Sequence, residues 1–238
     1  MSSKWDAVWA ARALDPAAGS KLAALMAADG LDTGFGSVGE ESWVRCVRHV
    51  EELLRLRPGD SVFEVGCGAG AFLYDLYGRG YDVAGVDRSA ALVGYAAEAM
   101  PRGRFAVGDA AALDRDPPAD AVVSFGVFMY FPSLDYARSV VEAMVARSSG
   151  AVAILDVPDR AREAEAVALR QATVGGAEAY AARYAGLDHL YYDRGWLAQA
   201  LIDCGLVDVQ VAGQEMAGYE NARFRFNAWG FLPGAARR

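Results

Sequence analysis

Lysine, histidine and cysteine are scarce in this chain of 238 residues: it has only Lys4 and Lys21, His49 and His189, and Cys46, Cys67 and Cys204. Each shortage excludes something. Three cysteines, an odd number without C-x-x-C spacing, argue against a disulfide framework or a thiolate zinc site and fit a reducing compartment. Two histidines leave little choice for a base that titrates near neutral pH. Basic residues number 23 against 31 acidic ones, for a net charge of −8. No basic stripe of the kind that grips nucleic-acid phosphates stands out, so nucleic acid is not an expected partner. No apolar run approaches the roughly 20 residues of a membrane span; the longest, residues 121–131, is broken by Ser124. The N-terminus has no apolar stretch leading to a small-residue cleavage site, which makes a cytoplasmic protein without a membrane partner the expectation.

Hydrophobic residues make up 54% of the chain and charged residues 23%, a globular composition for one generous domain. Residues 1–42 read as an N-terminal helical cap with a glycine patch at Gly34, Gly36 and Gly39. An amphipathic helix over 41–57 repeats Trp43, Val47, Val50, Leu53 and Leu54 at helical spacing and stops at Pro58-Gly59. Strands and helices then alternate, the pattern of a parallel sheet covered on both faces. Strands are expected at 61–65, 82–86, 104–107, 119–125, 151–156, 207–212 and 223–231, and residues 159–190 form an Ala/Glu/Arg-rich helical insertion. The domain therefore divides into the cap, a ligand-binding core over 43–158, a lid over 159–190 and a closing part over 191–232.

The richest stretch for chemistry is Val62-Phe63-Glu64-Val65-Gly66-Cys67-Gly68-Ala69-Gly70. A strand ends beside an acid, and glycines at alternate positions open a helix. Such a turn lets a ligand approach the backbone closely beside the positive end of the helix. The spacing is G-x-G-x-G, not the G-x-G-x-x-G of dinucleotide dehydrogenases. Taken alone, it is also what a tight strand-to-helix turn looks like. Asp87 closes the second strand, where an acid can take both hydroxyls of an adenosine ribose or merely serve the helix that follows. Asp109, in Gly108-Asp109-Ala110, can accept from an adenine amino group or be a plain turn acid. Residues 124–132 leave the fourth strand in an aromatic loop containing Phe125, Phe128, Tyr130 and Phe131.

With these features in order, the chain resembles the class I S-adenosylmethionine-dependent methyltransferases over about residues 57–231. The resemblance implies a Rossmann-like α/β fold, a doubly wound sheet of seven strands with the last antiparallel, and S-adenosylmethionine as cofactor with S-adenosylhomocysteine as product. It places Glu64, Gly66, Cys67, Gly68 and Gly70 around the methionine part. Asp87 with Arg88 falls at the ribose, Asp109 with Ala110 at the adenine, and Phe125 and Tyr130 beside the methyl donor. The Asn/Asp-Pro-Pro-aromatic motif of amino-directed nucleobase enzymes is replaced by Ser124-Phe125-Gly126-Val127. Asp156 and Asp159 lie where cation-dependent relatives cluster acids, but Pro158 and Arg160 leave no convincing oxygen cage, and no metal is expected.

On the acceptor side, His189 is the candidate general base or hydrogen-bonding group, while His49 reads as structural. Trp5, Trp9, Phe128, Tyr130, Tyr191, Tyr192, Tyr219 and Arg223 are the candidate acceptor contacts. Arg223 and Arg225, two apart on an expected strand, would share a face and could clamp an acidic group or simply face solvent. The expected activity is methyl transfer to a small molecule, at a hydroxyl of specialised or sugar metabolism, by a monomer or homodimer. N- or C-methylation, NAD-dependent oxidoreduction and non-catalytic cofactor binding stay open. The oxidoreductase would need a Tyr-x-x-x-Lys pair, which is missing.

Overall fold

The computed structural model describes residues 4–15, 17–31 and 37–235, so Gly34 and Gly36 of the expected glycine patch lie outside the described residues. Among the described residues, three α-helices precede the sheet: α1 (Lys4–Ala10), α2 (Lys21–Ala28) and α3 (Glu40–Leu53). Then come β1 (Ser61–Val65), α4 (Ala71–Gly78), β2 (Asp82–Asp87), α5 (Ala90–Ala99) and β3 (Arg104–Val107). After these follow β4 (Ala119–Phe125), α6 (Leu134–Arg147), β5 (Ser148–Pro158), α7 (Glu163–Thr173) and α8 (Ala177–Arg183). The chain closes with α9 (Arg194–Asp203), β6 (Val207–Gly213) and β7 (Arg225–Phe231).

The described strands form one sheet in the order β3-β2-β1-β4-β5-β7-β6. β1 to β5 run parallel, and β7 inserts antiparallel between β5 and β6. This is the α/β, Rossmann-like arrangement of seven strands that the alternation implies. β1 pairs with β2 on one side and β4 on the other, so the order reverses there. A crevice opens outside the carboxyl ends of strands at such a switch point. The central strands are apolar because helices cover both faces: Ala121, Val122 and Val123 of β4 are fully buried. One core cluster joins α2, α3 and α4 to the sheet, with Leu25, Trp43, Val47 and Leu73 at its centre. The other joins α6 and α9, with Val140, Met144, Leu197 and Leu201.

Two stretches depart from the period-2 reading. β5 runs on to Pro158, and its register against β7 shifts between Ile154 and Val157. Asp156 sits in that irregularity with φ of 56°, a strained left-handed conformation of the kind that re-aims side chains beside sites. Residues 220–224 form a 3-10 turn, not strand: Phe224 is buried with Ala166 and Tyr191, and its carbonyl accepts from Asp159 N before pairing begins. β7 therefore starts at Arg225. The insertion is an excursion from the sheet edge: Tyr192 N donates to Pro158 O and Arg160 N to Tyr192 O, which ties its two ends together.

Candidate active site

At the switch point β1 passes into the glycine turn, whose amides at Gly66 and Cys67 both donate to Val86 O. Gly66 has φ of 75°, and a Cβ there would lie 2.4 Å from Val127 Cγ2. A side chain is excluded on both conformational and steric grounds. Gly68 is as restricted: its Cβ would meet Asp29 Oδ1 at 2.1 Å. Asp29, just after α2, accepts from Ala69 N at 2.6 Å and from Ala71 N at 3.0 Å, at the N-terminal end of α4. No spacing signal in the sequence marks it. Asp87 fixes the same loop from the other side. Its Oδ2 accepts from Gly68 N at 3.0 Å and its Oδ1 from Ser89 N at 2.8 Å, while Ser89 caps α5. The loop-acid reading of Asp87 is what these hydrogen bonds show; the residue also lines the cavity described next.

Glu64 completes an acidic group. It is 3% exposed, and its Oε2 has no hydrogen-bond partner. Burial, then the charges of Asp29 and Asp87, push its carboxyl well above the usual carboxylate range. Burial, opposed by the two backbone amides and reinforced by Asp87, pushes Asp29 up to about 7. Burial raises Asp87 too, against the amides that bind it. Asp29 as a whole is half-buried, and its carboxylate is the enclosed part, held against the amides of Ala69 and Ala71.

A cavity of about 840 Å³ lies over these groups. Glu64, Gly66, Cys67, Gly68, Asp87, Arg88, Ala110, Phe125 and Tyr130 line it, as do Trp5, Trp9, Tyr219 and His189. Gly70 stands behind the loop as the left-handed residue before α4, and Asp109 stands at the rim. The Asp109 carboxylate accepts from Tyr136 OH at 2.6 Å and from Ala111 N; although burial opposes it, these bonds hold Asp109 below its ordinary range. Its neighbours Gly108 and Ala110, not its side chain, face the cavity. Phe125 packs against Trp43 at 4.9 Å and Phe72 at 5.9 Å, two further lining aromatics that looked like plain helix core.

The acceptor contacts need more correction. Phe128 and Tyr192 are core: both are buried, and Tyr192 OH donates to Phe128 O at 2.8 Å. Tyr191 is buried with Ala166 and Phe224, its hydroxyl held by Arg170. Arg223 sits in the 3-10 turn and is exposed, whereas Arg225 is 7% exposed and lines the cavity. The two arginines do not share a face. His189 is placed in the cavity but not as a base. Its Nδ1 is 2.8 Å from Arg170 Nη1, and a guanidinium only donates, so Nδ1 accepts and the proton sits on Nε2. Burial and the charges of Arg170 and Arg225 lower it to about 3. A histidine so neutralised has no basic lone pair to offer near neutral pH.

The covers come from the N-terminal helix α1 and from the insertion. Lys4 Nζ donates to Ala185 O at 2.6 Å and Trp5 Nε1 to Asp188 O at 3.2 Å, which latches α1 to the insertion. Trp5, Trp9 and His189 surround Tyr130 at ring separations of 4.7, 5.3 and 5.7 Å. Among the described residues no group of three His, Cys, Asp or Glu side chains is placed to hold a metal ion, and no helix is long and apolar enough to cross a membrane.

Residues 62–149, from β1 into β5, match the family model for a methyltransferase domain. Over that segment the chain is similar to a methyltransferase domain. No curated protein matches the chain significantly. Among solved structures, the chain is similar in fold to a magnesium protoporphyrin IX methyltransferase from Synechocystis, solved with S-adenosylhomocysteine. That match has 18% identity and a TM-score of 0.56, over 80% of this chain and 83% of that one. A putative methyltransferase from Haloferax volcanii, solved with a methyltransferase activator, matches with 18% identity and a TM-score of 0.64 over 98% and 99% of the two chains. The N-methyltransferase NodS from Bradyrhizobium japonicum, with S-adenosylhomocysteine, matches with 17% identity and a TM-score of 0.58 over 85% and 89%. The glycine turn and Asp87 fall inside the matched segment; Asp29, His189 and Arg225 fall outside it.

Proposed function

We propose that the protein transfers a methyl group from S-adenosylmethionine to an oxygen of a small-molecule acceptor. The observation that carries this reading is the buried, unpartnered Glu64 Oε2 beside Asp29 and Asp87. Three enclosed acids repel one another, and a ligand with an ammonium and a sulfonium centre relieves that repulsion. Glu64 and the glycine turn would hold the amino-acid end, Asp87 the ribose, and Gly108 and Ala110 the adenine side. When bound, the cofactor supplies a methyl group on cationic sulfur, already activated for in-line displacement. The chain has to align the acceptor and exclude water. Trp5, Trp9 and Tyr130 supply the dry wall, and α1 latched to the insertion serves as its cover. His189 positions the acceptor as an Nε2–H donor. For a hydroxyl acceptor, Asp156 takes the proton: it lines the cavity, aimed by its strained backbone and held by Tyr219 OH at 2.8 Å.

Calorimetry with S-adenosylhomocysteine tests the donor half. Saturable binding is expected, with none of NAD; the reverse result would replace methyl transfer by oxidoreduction. Turnover with S-adenosylmethionine over phenolic, sugar and carboxylic acid acceptors then separates an enzyme from a silent binding module. The net charge of −8 supports a small molecule over nucleic acid.

A further inference from the structure

Arg225 is the feature of the acceptor half that the methyl-transfer reading leaves unused. It opens β7, opposite Pro158 of β5, and is buried in the cavity wall. A guanidinium carries five donors and is costly to bury without acceptors. Among the described residues its side-chain hydrogen bond goes to Met129 Sδ at 3.4 Å, a weak acceptor. Asp156 is the nearest acidic influence but is not in hydrogen-bond contact with it: its Oδ2 accepts from Tyr219 OH and its Oδ1, at 3.4 Å, from Gln214 Nε2, which leaves each oxygen a further lone pair. Arg147, another buried arginine, shows what a structural one looks like here. It donates to Asp114 O at 2.9 Å, stacks on Phe63 and, although its Nε is left without a partner, faces no cavity in which a ligand could meet it. Arg225 has no such carbonyl.

The surroundings of Arg225 favour an anion. His189 offers an Nε2–H donor, and Arg170 stands behind it with a positive charge. Asn221 adds an amide to the cavity wall. The rest of that wall, Trp5, Trp9 and Tyr130, is flat and largely apolar. We propose that Arg225 receives a carboxylate of the acceptor, so that the substrate is an organic acid with a flat, apolar body. A carboxylate fits better than a phosphate because Asp156 stands close by and would repel a second negative charge. The planar fork of the guanidinium matches two carboxylate oxygens. This inference rests on the methyl-transfer reading for the meaning of the acceptor site, but the anion site can be tested without turnover.

The probes are 4-hydroxybenzoate, 4-hydroxyphenylacetate and 4-hydroxycinnamate, each paired with its primary amide. They are titrated by calorimetry into the full chain, with and without S-adenosylhomocysteine. At least one acid should bind about tenfold tighter than its amide, and Arg225→Met should bring the pair to within about twofold. Arg225→Lys, which keeps the charge and loses the fork, should retain part of the preference. Arg225→Met should bind S-adenosylhomocysteine within about threefold of wild type, since Arg225 lies outside the glycine turn. Equal binding of acid and amide by wild type, binding of neither across all three pairs, or an acid preference that survives in Arg225→Met would each overturn the proposal. Should Arg225→Met fail to fold, the wild-type preference and the Arg225→Lys series decide it. Acid preference without any S-adenosylhomocysteine binding would sink the methyl-donor reading while leaving the anion site standing.

Discussion

The two halves of the cavity carry opposite charge. Around the glycine turn stand Asp29, Glu64 and Asp87, three enclosed acids whose carboxyls are all pushed up by burial. Around the acceptor end stand Arg170 and Arg225, with His189 kept neutral between them. Each half holds its charge at a desolvation cost that a free protein would avoid by pairing the two groups internally. The separation is one of balance: Arg12 and Arg88 stand near the three acids, and Asp156 stands near Arg225, but acids outnumber bases around the turn and bases outnumber acids at the acceptor end, so the first half favours a cation and the second an anion. The difference teaches that the bifunctional character of the cavity lies in its electrostatics as much as in its shape.

The sharpest way to break this contrast is to remove Asp87. Its carboxylate holds the amides of Gly68 and Ser89, so Asp87→Ala frees the turn as well as deleting the ribose contact. We expect S-adenosylhomocysteine affinity to fall by at least about 100-fold in calorimetry, with binding of the acid probes much less affected. Equal losses in both halves would mean that the halves are not separate.

Asp29 gives the next effect, and it is read in the free protein. Its carboxyl, at about 7, stands above the ordinary value of 3.8, so the folded chain keeps a proton that the unfolded chain releases between those values. The stabilising contribution is therefore complete below about pH 4 and is lost as pH rises through 7. Denaturant unfolding at pH 5, 6 and 7 should show stability falling with pH, since Glu64 and Asp87 are raised as well, and Asp29→Asn should make that slope shallower by about 1 kcal/mol per pH unit, close to one proton's worth. An unchanged slope would remove Asp29 from the acidic group.

How much of this contrast could be read in the sequence follows from how local each half is. The glycine turn lies within ten residues of β1, so strand, turn and helix are contiguous and their pattern is visible. Asp87 is one strand further on. Asp29 reaches Ala69 from forty residues upstream, after α2, where Asp29-Gly30 looks like an ordinary helix end. On the acceptor side a period-2 reading put Arg223 and Arg225 on one strand face. The chain instead forms a 3-10 turn over 220–224 in which Phe224 is buried, a tertiary fact, and it turns one arginine out and the other in. His189 lines the cavity, at the sheet edge where its segment's topology puts it. Its lone pair is spent on Arg170 of α7, a partner nineteen residues away across the insertion that no periodicity announces.

Glu64→Gln sharpens the donor half. In the free protein its raised carboxyl favours the protonated form, and a ligand cation favours the ionised one, so binding should expel protons. Calorimetry near neutral pH in buffers of different ionisation enthalpy should reveal that release in wild type. The variant should release fewer protons and bind S-adenosylhomocysteine about tenfold more weakly. Wild-type binding with no proton release would show that the three acids do not respond to the ligand's charge.

The smallest effect is the one that separates a positioning histidine from a base. At about 3, and with Nδ1 accepting from Arg170, His189 has no titration between pH 5 and 8 to contribute. A base of ordinary histidine strength would instead produce a rising limb near pH 6.5 in kcat/KM. With an acceptor found by the turnover screen, wild type should show no such limb. His189→Gln, whose amide can still donate, should lower kcat/KM by only about threefold, mostly through KM, and leave the shape of the pH profile unchanged. A limb near pH 6.5 that disappears in His189→Gln would restore the histidine as base and release Asp156 from that role. Because kcat/KM reports the free enzyme, it would also mean that Arg170 and Arg225 do not hold His189 neutral before the acceptor binds. An anion settling on Arg225 is read instead in the pH profile of kcat, which reports the bound complex: there only the acids should raise the apparent pKa of His189, and acids and amides with the same profile would speak against it.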